Sequence, residues 1–188
     1  MSLREITEAA KANLAAVNYH FGDKETLYRE VIIRRVRPLN AQRLALLEEA
    51  CTQSGNTLPP LENIIRILAK PIFDLHCEHE SGGRAFVQIL SRGLTDPLNI
   101  TNQLLAQEYN PVLNRFGQLI RRHAPQLSPE EFLWRLSFII GAMHHTLATL
   151  HQMTALTRGI CRSDDYEGAL ARFISHSVVT FLAPSTAK

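Results

Sequence analysis

The sequence predicts an all-α protein, and three observations carry that prediction. Apolar residues recur at spacings of three and four through almost every segment after residue 23, and no stretch alternates at period two for long enough to build a sheet. Capping residues announce helix starts at Ser2, Asn13, Ser128 and Ser163 to Asp165. Glycine and proline clusters punctuate the chain between the periodic segments.

The elements follow in order. Ser2-x-x-Glu5 is a capping box that opens a short helix from Leu3 to Ala10. Lys11-Ala12-Asn13 breaks it, and Asn13 caps a second short helix that reaches His20. Gly22-Asp23 closes that helix and opens a third. Two short helices joined by a tight turn have the spacing of a helix-turn-helix, whose second helix enters the DNA major groove. Val17 and Phe21, one turn apart, are expected to be buried against Ile6 and Leu27.

The third helix carries Leu27, Val31, Val36 and Leu39 along one stripe and runs to about Cys51, with a kink expected at Pro38. Gln53 to Pro60 is a loop. A helix from Leu61 to about His79 follows, interrupted near Pro71, and Ser81-Gly82-Gly83 turns the chain into a helix from Arg84 to Gly93. Asp96-Pro97 breaks the pattern, and Asn99 to Ala124, with Pro111 inside, reads as two helices or one bent helix. Ser128-Pro129-Glu130-Glu131 is a strong start for a helix to Leu156, with Glu131 completing a capping box. The last helix begins at Ser163-Asp164-Asp165, where acidic groups meet the positive end of the helix dipole, and ends near Leu182 before Pro184.

Composition narrows the function. A formal charge of +2 with 45% hydrophobic residues describes a folded chain rather than a disordered or strongly basic one, so any DNA contact must come from a local patch. Cys51, Cys77 and Cys161 are odd in number and far apart. They read as buried thiols of a cytoplasmic protein, not as a disulfide framework or zinc ribbon. No apolar run approaches the ~18 residues that span a membrane. There is no Gly-x-Ser-x-Gly and no phosphate-cradling glycine loop, so no enzyme activity, catalytic residue or cofactor is expected. His76 and His79, at i and i+3, read as favourable charges at a helix C-terminus rather than as metal ligands, and no metal site is expected.

The stretch Asn13 to Lys24, followed by Glu25-Thr26-Leu27, resembles the recognition helix and next helix start of TetR/AcrR-type transcriptional regulators. Leu3-Arg4-Glu5-Ile6 with Ala9-Ala10 resembles the helix before it. The resemblance implies a helix-turn-helix DNA-binding lobe over about residues 1–37, followed by a larger TetR-like helical bundle over 38–188 for effector binding and dimerisation. Family members usually carry another helix before this segment, so the resemblance implies either a longer protein with that helix upstream or an incomplete reading head. At the turn, the family often has glycine where this chain has Lys11, which implies a strained or slightly different turn.

Residue by residue, the exposed face of the second helix is the candidate DNA reader. Ala15 and Ala16 are short enough to let the backbone approach base edges, and Asn18 both donates and accepts. Asn13 lies at the start of the same helix. Leu14 either meets a thymine methyl or belongs to the core. Tyr19, His20 and Lys24 match the family's phosphate contacts, with His20 otherwise an ordinary surface histidine, and Arg4 adds affinity for the DNA backbone. Backbone N–H groups after Asp23 are expected to offer a further phosphate site. Arg29, Arg34, Arg35 and Arg37 read as a solvated or interdomain face.

The resemblance further implies a homodimer through the last two long helices, where Gly141, Ala142 and Ala148 meet Ala169, Ile174, Val178 and Phe181. Such a dimer would read an inverted-repeat operator on double-stranded DNA. It also implies an effector cavity in the larger lobe. Phe73, Phe86, Leu90, Phe116, Trp134, Phe138, Met143 and His144 form an apolar set with few polar groups; most of such a set is ordinary core, and as the lining of that cavity it suits a small lipophilic or amphipathic molecule. His144, His145 and His151 read as groups that line a pocket or hydrogen-bond across an interface, the interface being the preferred reading. The function implied is a ligand-responsive repressor, and the competing reading is a helical small-molecule-binding or interaction module that has lost DNA binding.

Overall fold

The computed structural model describes residues 2–78, 82–93 and 100–185, with the side chains of all of these except 92, 93 and 100–105. The helices are α1 (Leu3–Ala9), α2 (Leu14–Phe21), α3 (Lys24–Ser54), α4 (Leu61–Cys77), α5 (Gly83–Gly93), α6 (Ile100–His123), α7 (Pro129–Thr149), α8 (Met153–Leu156) and α9 (Tyr166–Leu182). A 3-10 turn, Leu150–Gln152, joins α7 to α8. No strand occurs among the described residues, so the fold is all-helical. The chain falls into two compact units, Met1–Pro38 and Leu39–Lys188. The expected break at Asp96-Pro97, the turn residue Ser81, and His79 lie outside the described residues.

In the first unit α1 and α2 pack together. The Ser2 capping box is complete: the Glu5 N–H donates to Ser2 Oγ and the Ser2 N–H donates to the Glu5 carboxylate. Lys11 closes α1 with a positive φ of 51°, while the Ala12 N–H donates to Thr7 and the Lys11 N–H to Glu8. That is a left-handed helix stop, a position glycine fills without a Cβ clash. Ile6, Val17, Phe21 and Leu27 are half-buried rather than sealed, because helices of seven and eight residues cover only part of an apolar face.

In the second unit α4 is the central helix. It packs against α5, α6, α7 and α9, and Ile64, Ile65, Leu68, Ala69, Ile72 and Phe73 are buried on it. Burying each aliphatic side chain of this kind contributes about 1.5–3 kcal/mol before entropy is counted. Three prolines expected to interrupt or bend helices sit inside helices that remain single by hydrogen-bond pattern: Pro38 in α3, Pro71 in α4 and Pro111 in α6. Tertiary packing outweighs the loss of one backbone bond at each. On α3, Ile32 is buried in place of Val31, which is exposed, so the apolar stripe runs through Ile32, Val36, Leu39, Leu47 and Ala50.

Two buried polar arrangements tie the second unit together. Arg135 on α7 donates to the carbonyls of Thr180, Ala183 and Pro184 and pairs with Glu131 at 2.5 Å, satisfying carbonyls that the end of α9 leaves open. Glu131 therefore does not complete the Ser128 box: Ser128 Oγ accepts from the Glu131 N–H, but the carboxylate goes to Arg135 and Ser185. The second arrangement centres on Arg43. The helix expected to reach Leu156 ends instead at Thr149, and its continuation is the 3-10 turn and α8. All three cysteines are free, and none is fully buried: Cys51 and Cys77 are half-buried, and Cys161 is exposed. None of the helices described is long and apolar enough to cross a membrane.

Candidate nucleic-acid interface and effector cavity

The first candidate site is the outer face of α2. Its start is fixed by Asn13, whose side-chain oxygen accepts from the Ala15 N–H at 2.8 Å. Its end is fixed by Gly22, whose φ of +73° lets the chain turn sharply towards α3. Between these stops Leu14, Ala15, Ala16, Asn18, Tyr19 and His20 are all exposed, so Leu14 is a surface residue and not core. Tyr19 is 86% exposed, an unusual position for a ring that normally buries well over half its surface, and it meets the His20 ring at 5.3 Å in an edge-on arrangement.

Charges around that face are mixed. Lys24 is exposed at the start of α3, but Arg4 is held by Glu8 at 2.9 Å on α1. The N-terminus of α3 is already capped, because the Asp23 carboxylate accepts from the Thr26 N–H at 2.7 Å, and this bond holds the Asp23 carboxyl below its ordinary range. One of the backbone N–H groups expected to offer an anion site there, that of Thr26, is therefore taken by the chain's own carboxylate. Arg34 and Arg37 are exposed, and Arg29 and Arg35 half-buried.

The second candidate site lies wholly in the larger unit. A cavity of about 320 Å³ opens between α3, α4, α5, α6 and α7. Its apolar wall includes Leu68, Leu90, Leu113, Ile140 and Met143, and its polar groups are Arg43, Tyr109, Asn110 and His144. Arg43 is only 1% exposed. Its Nε donates to the Leu68 carbonyl at 2.8 Å and its Nη1 to Asn40 Oδ1 at 3.3 Å, while Asn40 in turn donates to the Glu108 carbonyl at 2.8 Å. Pro71 lacks the N–H that would bond the Ile67 carbonyl, the neighbour of the Leu68 carbonyl that receives Arg43. The guanidinium carbon lies 5.9 Å from the centre of the Tyr109 ring.

Burial dominates the electrostatics of this cavity. Desolvation pushes the Tyr109 hydroxyl above its ordinary pKa against the pull of Arg43. His144, 8% exposed, is lowered to about 4, first by burial and then by the charge of Arg43, so its ring is neutral at pH 7.

Of the residues expected at an effector site, Leu90, Met143 and His144 line this cavity. Phe73, Phe86 and Phe116 are buried in the packed core, with Phe73 against Phe173. Trp134 and Phe138 are elsewhere. They are 57% and 62% exposed on the outer side of α7, with ring centres 5.8 Å apart, beside Val179 of α9. Arg43, Tyr109 and Asn110 were not anticipated. The signal that could have found Arg43 is an arginine on the stripe of Leu39 and Leu47, where apolar periodicity calls for a buried residue. His76 is buried, with its ring 5.9 Å from Tyr166, and does not form an exposed C-terminal charge. His145 and His151 are exposed.

With this geometry in view, comparison with known sequences is informative. A family model of the tetracyclin repressor-like C-terminal domain matches residues 66–178, from within α4 to within α9. The chain belongs to this family. No curated protein matches it. The matched segment of this tetracyclin repressor-like chain contains Leu68, Leu90, Tyr109, Met143 and His144 of the cavity, whereas Arg43 and the whole of the first unit lie before it.

Proposed function

We infer that this tetracyclin repressor-like chain is a cytoplasmic, ligand-responsive DNA-binding repressor that acts as a homodimer on an inverted-repeat operator. The observation that carries the reading is the bare outer face of α2, where Tyr19 stands in solvent beside His20, Asn18 and two short alanines on a helix-turn-helix. Ala15, Ala16 and Asn18 meet base edges, Leu14 meets a thymine methyl, and Tyr19, His20, Lys24, Arg4 and the Asn13 amide meet phosphates. The Arg43 cavity holds the effector.

Dimerisation is supported by exposed apolar residues on two packed helices. Leu133, Trp134 and Phe138 on α7 and Val179 and Leu182 on α9 are all exposed, and α7 packs against α9. Exposed apolar patches of this kind mark interaction surfaces. Ile174 and Phe181, expected at the interface, are buried inside the protomer, so the contact is made by the outward residues of both helices. Coupling between effector and operator has a covalent path, because α3 carries both Lys24 and Arg43. By linkage, an effector that weakens operator binding is itself bound more weakly by the DNA complex, with a coupling of about 1–3 kcal/mol.

The test is selection from a randomised duplex pool followed by gel-shift titration over a salt series. A repressor enriches an inverted repeat whose half-sites lie about 34 Å apart or a multiple of that. Its affinity falls steeply with salt, and Lys24→Ala flattens the slope by about one. The competing reading, a ligand-binding module without DNA binding, draws on the Arg4–Glu8 pair and the self-capped start of α3, and it predicts no enrichment.

A further inference from the structure

Three buried side chains around one cavity each present a polar atom that no well-formed hydrogen bond satisfies: Arg43 Nη2 and Tyr109 Oη, which interact with one another, and His144 Nδ1. An arginine keeps its charge under all accessible conditions, so burial leaves a cation in an apolar wall, and no described acidic side chain bonds to it. An unpaired buried polar atom costs about 1–3 kcal/mol, and more when it is charged. The interior of a folded protein carries such groups where a function requires them.

The arrangement is specific about what would relieve this cost. The Nε and Nη1 of Arg43 are held by a main-chain carbonyl and by Asn40, which aims the remaining arm without using it. The Tyr109 hydroxyl donates beside it, and His144 is neutral and offers an N–H or a lone pair according to tautomer. Leu90, Leu113, Ile140 and Met143 supply a wall for an apolar body. With one cation and no carboxylate among the described residues that line the cavity, a monoanion balances the charge, whereas a dianionic phosphate ester would leave one charge uncompensated.

We propose that this cavity binds a small organic carboxylate, its head on Arg43 Nη2 and Tyr109 Oη and its apolar body against Leu90, Leu113, Ile140 and Met143. The proposal rests on the reading of the larger unit as an effector-binding domain and names the chemical class of the effector. At about 320 Å³ the cavity sits at the small end of ligand sites, which sets an upper limit on the body.

The test titrates the full chain with hexanoate, octanoate and 4-phenylbutyrate, each against the alcohol of the same skeleton, by calorimetry and thermal shift. At least one acid binds saturably and about ten-fold or more tighter than its alcohol, as expected when a charged hydrogen bond is gained. Arg43→Met abolishes the preference, and Tyr109→Phe weakens the acid several-fold while leaving the alcohol unchanged. Equal binding of acid and alcohol, no saturable binding of any acid, or a preference that survives Arg43→Met overturns the proposal. If circular dichroism shows that Arg43→Met does not fold, Tyr109→Phe decides, and an unchanged ratio of acid to alcohol overturns it. The same preparation goes into the gel-shift assay: selective DNA binding without acid binding removes only the carboxylate, and acid binding without DNA binding removes only the repressor.

Discussion

Polar groups are deployed in opposite ways in the two units of this chain. On α2 and its neighbours, Tyr19, His20, Arg4 and Lys24 face water, where each charge is screened and each hydrogen bond competes with solvent. Around α3, α6 and α7, Arg43, Tyr109 and His144 face an apolar wall, where the same kinds of group interact strongly and an unmet bond is expensive. On the proposed reading, the first surface would track a long polyanion and gain from many weak, reversible contacts. The cavity would discriminate one small molecule and gain from few contacts that are strong because water is absent.

The contrast can be broken most sharply with arginines. Arg135→Ala removes one partner of the buried pair with Glu131 and three bonds to the end of α9, and should cost about 3–5 kcal/mol in urea unfolding. Arg4→Ala, which removes the exposed pair with Glu8, should leave the midpoint unchanged within error. Equal losses in the two variants would erase the distinction.

Next in size is the pH response. His144 titrates near 4 in the fold and near 6.5 when unfolded, so the unfolded chain takes up a proton first as the pH falls. Stability is therefore full above about pH 6.5 and declines towards pH 4, by about 3 kcal/mol from this group alone. His144→Gln should remove most of that decline, measured as the difference in unfolding free energy between pH 7 and pH 4. The smallest effect is expected in the first unit, where Lys11→Gly relieves the positive φ and should stabilise that unit by about 0.5–1 kcal/mol, read from hydrogen exchange in α1. A loss instead would mean that the left-handed conformation of Lys11 carries no strain.

Legibility in the sequence followed the same division. The first unit is written in local signals: the Ser2 box, the Asn13 cap, and the turn at Lys11, where a strained or slightly different turn is expected and a positive φ is found. Candidate readers on α2 could be named because a short exposed helix is decided by its own residues. The cavity was visible only in part. Leu90, Met143 and His144 lie on it, but Trp134 and Phe138, expected beside them, are on the outer surface, because aromatic residues at helical spacing do not reveal which face is inward. Arg43 was hidden among cations that do face solvent, such as Arg34 and Arg37, and the groups that define its role are far away in sequence at Leu68 and Tyr109. Pro71 misled for a related reason. It reads as a helix breaker, yet the packing of α4 on four other helices holds it in place.

The tether between Arg43 and the Leu68 carbonyl has a thermodynamic consequence. A long, flexible cation usually forfeits conformational freedom when it clasps an anion, and this loss offsets much of the enthalpy gained. Here the side chain is immobilised before any guest arrives, so calorimetry of complex formation should show heat release with little opposing entropy from the protein.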